Sequence, residues 1–155
     1  MAVNIVTGSG PRVGSSFVMQ QCKANGLYVN GDKFLKGLLP VEGNPKGYYD
    51  LLPPEIKKVR KGVAKVWPVS LGYLKVPVKN VVILKRKNLD NQIKSCQEQV
   101  KREPVKIPTT CEELIKFSSK CLEEWLSKQN FVESRSYYTE ELDDHIEDIV
   151  SFLGE

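Results

Sequence analysis

The first place where chemistry is legible is a run of small and cationic residues near the start of the chain. Val3 to Thr7 is a short β-branched run, Gly8-Ser9-Gly10-Pro11-Arg12-Val13-Gly14 follows it, and Ser15 to Asn25 suits a helix that Gly26 ends. A glycine-rich turn between a strand and a helix aims several backbone N–H groups and the positive helix end at one point, a cradle for phosphate or sulfate. Arg12 adds a forked partner for an oxyanion, and Ser15 and Ser16 add hydroxyls. The segment is not a Walker loop, because Ser9 stands at the first glycine and Ser15 stands where the lysine should be.

Other reactive types are sparse. Lys85-Arg86-Lys87 forms a basic cluster at the end of an apolar strand, which taken alone is a solvated surface feature. The single histidine, His145, falls in an acidic C-terminal segment and reads as a surface or helix-packing residue. Glu42 and Asp50 lie in a long loop after the cradle, where an acceptor would enter, and they compete with the reading of ordinary loop carboxylates. Cys22, Cys96, Cys111 and Cys121 include no C-x-x-C pair, which disfavours a zinc site or a disulfide framework and favours reduced, buried thiols.

The elements that must position these residues follow from periodicity. Residues 30–54 carry four glycines and four prolines and read as a functional loop. Pro53-Pro54-Glu55 opens a short basic helix ending near Gly62, and Val63 to Trp67 and Val78 to Leu84 read as buried strands. Leu89, Ile93, Cys96 and Val100 recur at helical spacing over 89–102. Thr110 with Glu113 is a capping box for a helix whose apolar stripe is Leu114, Ile115, Cys121, Leu122, Trp125 and Leu126. Phe131 to Tyr138 suits a last strand. Thr139 is expected to cap a final helix, with Leu142, Ile146, Ile149, Val150 and Leu153 on one side and Gly154 at its close. Strands alternating with helices indicate an α/β domain with a mostly parallel sheet, single over residues 1–155.

Composition bounds the rest. With 155 residues, 41% hydrophobic and 27% charged, the chain has the make-up of one soluble domain. No apolar run approaches the roughly 20 residues of a membrane helix, and the N-terminus lacks the basic start of a signal peptide, so a cytoplasmic protein is expected. The net charge of +4 divides into +12 over residues 1–111 and −8 over 112–155. The first part should attract a polyanion, whereas the acidic end is the place to seek a protein partner. The basic residues are scattered and no aromatic-basic recognition module is evident, which argues against nucleic acid as the partner.

Four blocks in order resemble one family. Thr7 to Ser16 looks like the 5′-phosphosulfate loop of P-loop sulfotransferases, Pro-Lys/Arg-x-Gly-Thr/Ser-Thr/Ser. Asn44-Pro45-Lys46-Gly47-Tyr48-Tyr49-Asp50 is similar to the Asn-Pro-Lys/Arg-Gly-Tyr/Phe-Tyr/Phe-Glu segment of short bacterial and phage sulfotransferase-like proteins. Leu84 to Ser95 looks like their strand-to-helix 3′-phosphate motif, and Tyr138 to Gly154 is similar to their terminal helix ending in Phe-Leu-Gly.

The resemblance implies a three-layer P-loop sulfotransferase-like domain that moves a sulfuryl group from 3′-phosphoadenosine 5′-phosphosulfate to a hydroxyl or amine acceptor, without a metal. It assigns cofactor binding to Pro11, Arg12, Val13, Gly14, Ser15, Ser16, Lys87 and Ser95, and catalysis to Arg12 with Glu42 or Asp50 as the base. Tyr48 and Tyr49 either face the acceptor or pack the loop. Lys87 replaces the family's arginine, a point charge in place of a planar fork, and Arg86 substitutes for it only if the strand end is rotated. The chain ends at Phe152-Leu153-Gly154-Glu155, without the glycine-rich basic segment with which many relatives close over the nucleotide. Weaker cofactor binding, closure by a partner, or lost catalysis would each follow. Two rivals stay open: a non-catalytic nucleotide-cradle protein acting through a protein partner, and a P-loop kinase for a nucleoside or nucleic-acid base.

Overall fold

A computed structural model describes residues 2–10, 13–31, 49–102, 109–130 and 132–155. Its strands are β1 (Val3–Gly8), β2 (Val63–Lys65), β3 (Val78–Lys85) and β4 (Glu133–Tyr138). They form one all-parallel sheet in the order β2-β1-β3-β4. The helices are α1 (Ser15–Ala24), the single turn α2 (Pro53–Ile56), α3 (Leu89–Arg102), α4 (Cys111–Ser127) and α5 (Leu142–Gly154). The expected α/β class with a parallel sheet is the one observed.

The two inner strands are apolar because both of their faces are covered. Val6, Val82 and Leu84 pack with Val18, Met19 and Cys22 of α1 and with Ile149, Phe152 and Leu153 of α5. Val3, Ile5, Val81 and Ile83 pack on the opposite face with Ile56, Leu71 of the 3₁₀ segment Pro68–Tyr73, and Leu122 of α4. Each outer strand is handled differently. β4 carries Glu133 and Arg135 exposed at its edge, charges that oppose pairing with another sheet. β2 is only three residues long and is buried throughout.

The end of α5 is pinned by polar residues inside strands. Asn4 Nδ2 donates to the Leu153 carbonyl at 2.7 Å, and Asn80 Nδ2 donates to the Phe152 carbonyl at 2.9 Å. The β1–β3 register slips by one residue between Val3 and Ile5, and the Asn80 N–H there donates to Asn4 Oδ1 at 3.2 Å. Two asparagines thus satisfy both a bulge and the last carbonyls of a helix, groups that would otherwise be buried without partners. This anchoring holds the start of α5 at the carboxyl edge of the sheet.

Several expectations shift. Leu89 is 42% exposed, and Gln92 and Cys96 turn inward from α3, because the loop after β1 packs against Gln92. The buried line of α4 is Cys111, Ile115, Ser118 and Leu122, with Leu114, Cys121, Trp125 and Leu126 only half-buried. The second strand stops at Lys65 and the basic helix after Pro53 stops at Ile56. Thr110 Oγ1 accepts from the Glu113 N–H at 3.2 Å, as the capping pattern predicts, while the Glu113 carboxylate accepts from the Thr109 hydroxyl. Thr139 does not cap α5. It opens a 3₁₀ turn, Thr139–Glu141, and its hydroxyl is used elsewhere. No helix among the described residues is long and apolar enough to cross a membrane.

Candidate functional site

Chain order reverses direction across the sheet between β1 and β3, since β2 lies to one side of β1 and β3 to the other. In open parallel sheets the crevice outside the carboxyl ends at such a reversal is where ligands bind. The loop after β1 and the basic cluster after β3 both open there.

The described residues on either side of Pro11 and Arg12 are closely held. Ser9 N–H still donates to the Leu84 carbonyl of β3 at 3.0 Å, and Ser119 of α4 donates to the Ser9 carbonyl at 3.0 Å. A Cβ at Gly8 would stand 2.5 Å from Val13 Cγ2, so only glycine lets the loop close. Gly14 is left-handed at φ 87 and immediately precedes α1, and a Cβ there would reach Leu142 Cδ1 at 2.8 Å. The N–H groups of Ser15, Ser16 and Phe17 then begin a helix with no intrahelical carbonyl to meet, and they give that point a partial positive charge.

Lys65, which the sequence reading passes over, arrives at the same point. It is the last residue of β2 and only 4% exposed. Its Nζ lies 3.2 Å from Ser16 Oγ, 2.9 Å from Asp50 Oδ1 and 4.9 Å from the centre of the Trp67 ring. Trp67 Nε1 donates to the same Asp50 oxygen at 3.2 Å. Burial pulls the Lys65 pKa below the ordinary lysine value, and the charge and hydrogen bond of Asp50 partly restore it. A buried ammonium beside a helix N-terminus is unfavourable unless anions meet both. The available signal was a lysine set into the β-branched run Val63-Ala64-Lys65-Val66.

Of the residues expected at the phosphosulfate end, the structure brings Val13, Gly14, Ser15 and Ser16 together with Asp50, which reaches Ser16 through Lys65. Val13 and Ser15 are buried and Ser16 is half-buried. Pro11, Arg12, Glu42 and the Asn44–Tyr48 part of the tyrosine block lie outside the described residues. Tyr49 is 6% exposed and belongs to the core cluster that also holds the buried residues of α1, as the packing alternative expects. Thr7 Oγ1, near the end of β1, is buried with no hydrogen-bond partner among the described residues.

At the other end, the Arg86 side chain and the Lys87 backbone both engage Glu140. Arg86 Nε donates to Glu140 Oε1 at 2.8 Å, and Lys87 N–H donates to Glu140 Oε2 at 3.1 Å. Lys87 Nζ pairs with Glu141 and lies over the Tyr138 ring at 5.5 Å. The bond to Glu141 raises the Lys87 pKa above its ordinary value. Burial pushes the Glu140 carboxyl up, but its N–H bonds and Arg86 outweigh this and hold it below the usual carboxylate range. Ser95 sits in the second turn of α3 and is half-buried.

Thr139 joins the two ends. Its hydroxyl lies 2.6 Å from the Val13 carbonyl of the first loop and 3.1 Å from the Lys85 carbonyl at the end of β3. His145 packs at 5.5 Å from the Tyr137 ring, away from these groups and in the packing role expected of it. No disulfide joins Cys22, Cys96, Cys111 or Cys121 among the described residues, and the first three are buried. Comparison of the chain with protein-family models, curated proteins and solved structures returned no match.

Proposed function

We propose that the chain is a sulfotransferase-like protein that binds 3′-phosphoadenosine 5′-phosphosulfate across the carboxyl edge of its sheet and serves a hydroxyl or amine acceptor. The observation that carries this reading is the convergence of the buried Lys65 ammonium and the Ser16 hydroxyl on the first turn of α1. That pairing sets an ammonium, balanced by Asp50, at the end of a glycine-rich loop, and a second cationic group, Arg86-Lys87, stands at the end of the neighbouring strand. A nucleotide with phosphate at both ends needs such a two-ended arrangement.

In this reading Arg12, the N–H groups of Val13 and Gly14, and the Ser15 and Ser16 hydroxyls hold the 5′ end, with Pro11 shaping the turn. Lys65, beside Ser16, would help to hold the 5′ end by placing an ammonium next to it. Lys87, Arg86 and Ser95 serve the 3′ phosphate. The bound cofactor supplies the electrophilic sulfuryl group and a phosphate leaving group. Asp50 is better suited to orient Lys65 than to take a proton, since Lys65 and Trp67 already occupy one of its oxygens, which leaves Glu42 as the base. The same engagement of Asp50 favours a second reading, a non-catalytic protein that binds the nucleotide and acts through a partner.

Calorimetry with 3′,5′-adenosine bisphosphate tests the site. Binding is expected, and Lys65→Met and Arg12→Ala should each weaken it by about tenfold or more. An absence of heat at millimolar ligand, or unchanged affinity in both variants, would remove the cofactor assignment. Transfer of radiolabelled sulfate to a panel of alcohols and amines separates the two readings, since the binding-only protein labels nothing.

A further inference from the structure

The acidic turn before α5 accounts for a contradiction in the candidate site. Three donors of the kind a phosphate needs stand at the end of β3, Arg86 Nε, the Lys87 N–H and Lys87 Nζ, and the first two meet the two oxygens of a single carboxylate. Each is met by a carboxylate oxygen of Glu140 or Glu141. Those carboxylates stand where phosphate oxygens would stand, and they carry the same sign of charge. We propose that the Thr139–Glu141 turn is an internal anion that occupies the 3′-phosphate subsite and must give way when a nucleotide bisphosphate binds. This rests on the cofactor reading above.

The geometry suits an exchangeable contact. The side chains of the Arg86–Glu140 pair are 22% and 34% exposed, and those of the Lys87–Glu141 pair are 49% and 40% exposed, so water reaches both pairs. Half-exposed ion pairs are individually weak and can be traded for a phosphate of higher charge. The hinge side is fixed. The Thr139 hydroxyl sits between the Val13 and Lys85 carbonyls, and Leu142, the first residue of α5, is 5% exposed in the core. Glu140 and Glu141 can therefore swing out and loosen the turn between these two fixed points. The contact also gives part of the acidic C-terminal surplus a task within the chain.

The test compares the full chain with Glu140→Gln/Glu141→Gln, and uses Asp144→Asn/Asp148→Asn as a control that removes two exposed charges elsewhere on α5. Titrations of 3′,5′-adenosine bisphosphate and adenosine 5′-monophosphate separate the subsites, since the second ligand lacks the 3′ phosphate. The glutamine pair should bind the bisphosphate roughly threefold to tenfold more tightly than the unaltered chain, with little change for the monophosphate. The control should shift both ligands equally and by less. Equal or weaker bisphosphate binding by a folded glutamine pair overturns the internal anion and leaves the cofactor reading intact. No bisphosphate binding by any of the three chains overturns both. Should the double variant fold poorly, Glu141→Gln alone and hydrogen exchange of the unaltered chain decide. Bisphosphate, and not monophosphate, should then raise amide exchange across 138–142, and unchanged exchange there counts against the proposal.

Discussion

Replacing Asp50 by asparagine leaves a buried ammonium with less to meet it, and the size of the loss follows from the geometry. Lys65 is 4% exposed, its Nζ is 2.9 Å from Asp50 Oδ1, and the Asp50 side chain is 42% exposed. Breaking a fully buried ion pair from one side costs about 3–5 kcal/mol. Water can reach the vacated side here, so Asp50→Asn should cost about 1–3 kcal/mol. Lys65→Met is the informative contrast. It removes the desolvated charge and leaves Asp50 to water, so stability should stay within about 1 kcal/mol of the original or rise. In the double variant the asparagine should cost almost nothing, a coupling of about 1–3 kcal/mol. The pH dependence has a definite sign. Lys65 has a lowered pKa in the fold, so below the ordinary lysine value the unfolded chain holds more protons than the folded one. Stability from this group therefore rises as pH climbs through the depressed folded pKa toward 10.5, and Lys65→Met should lack that rise. Urea unfolding followed by tryptophan fluorescence from pH 7 to pH 10.5 measures both effects. Asp50→Asn within about 0.3 kcal/mol of the original, or a strictly additive cycle, would refute the reasoning. A lysine whose removal spares stability but abolishes bisphosphate binding is one kept for a ligand.

Three further outcomes follow from single contacts. Gly14→Ala forces a side chain into a φ of 87 and to within 2.8 Å of Leu142, and should lower stability by about 2 kcal/mol in denaturant titrations. Asn80→Ala strips the Phe152 carbonyl of its donor at 2.9 Å inside the core, for an expected loss of about 1–3 kcal/mol and faster amide exchange at the end of α5. The Cys22 thiol, pushed up to about 12 by burial, should resist a thiol reagent at pH 8 until the chain unfolds, whereas half-buried Cys121 reacts in the folded state.

Much of this fold is local in origin, and that part is readable from residue order. β-branched runs, one closed by Gly8 and one opened by Pro77, give β1 and β3, helical spacing gives α3 over 89–102, and Thr110 starts α4 with its own side chain. Alternation of these elements then leaves a parallel sheet as the economical arrangement. The glycine-rich turn is legible in part for the same reason, since Gly8 faces Val13 five residues on and Gly14 needs a left-handed φ of 87, while the crowding of Gly14 by Thr139 and Leu142 is tertiary.

What escaped the sequence depends on partners far along the chain. Lys65 sits in an apolar run and becomes a site residue only because β2 lies beside β1, which brings Ser16 and Asp50 to it. Asn4 and Asn80 look like interruptions of strands until the last turn of α5 lies over them and needs donors. Thr139 has the right type to cap a helix, yet two distant carbonyls claim its hydroxyl. The charge split at residue 111 could suggest an external partner, but it could not show that Glu140 and Glu141 meet Arg86 and Lys87 of the same chain. Residue order settles what each short segment prefers, because propensity and capping act over a few positions. Which buried charges and polar groups find one another is settled by packing, because their cost is relieved only when the sheet sets distant segments side by side.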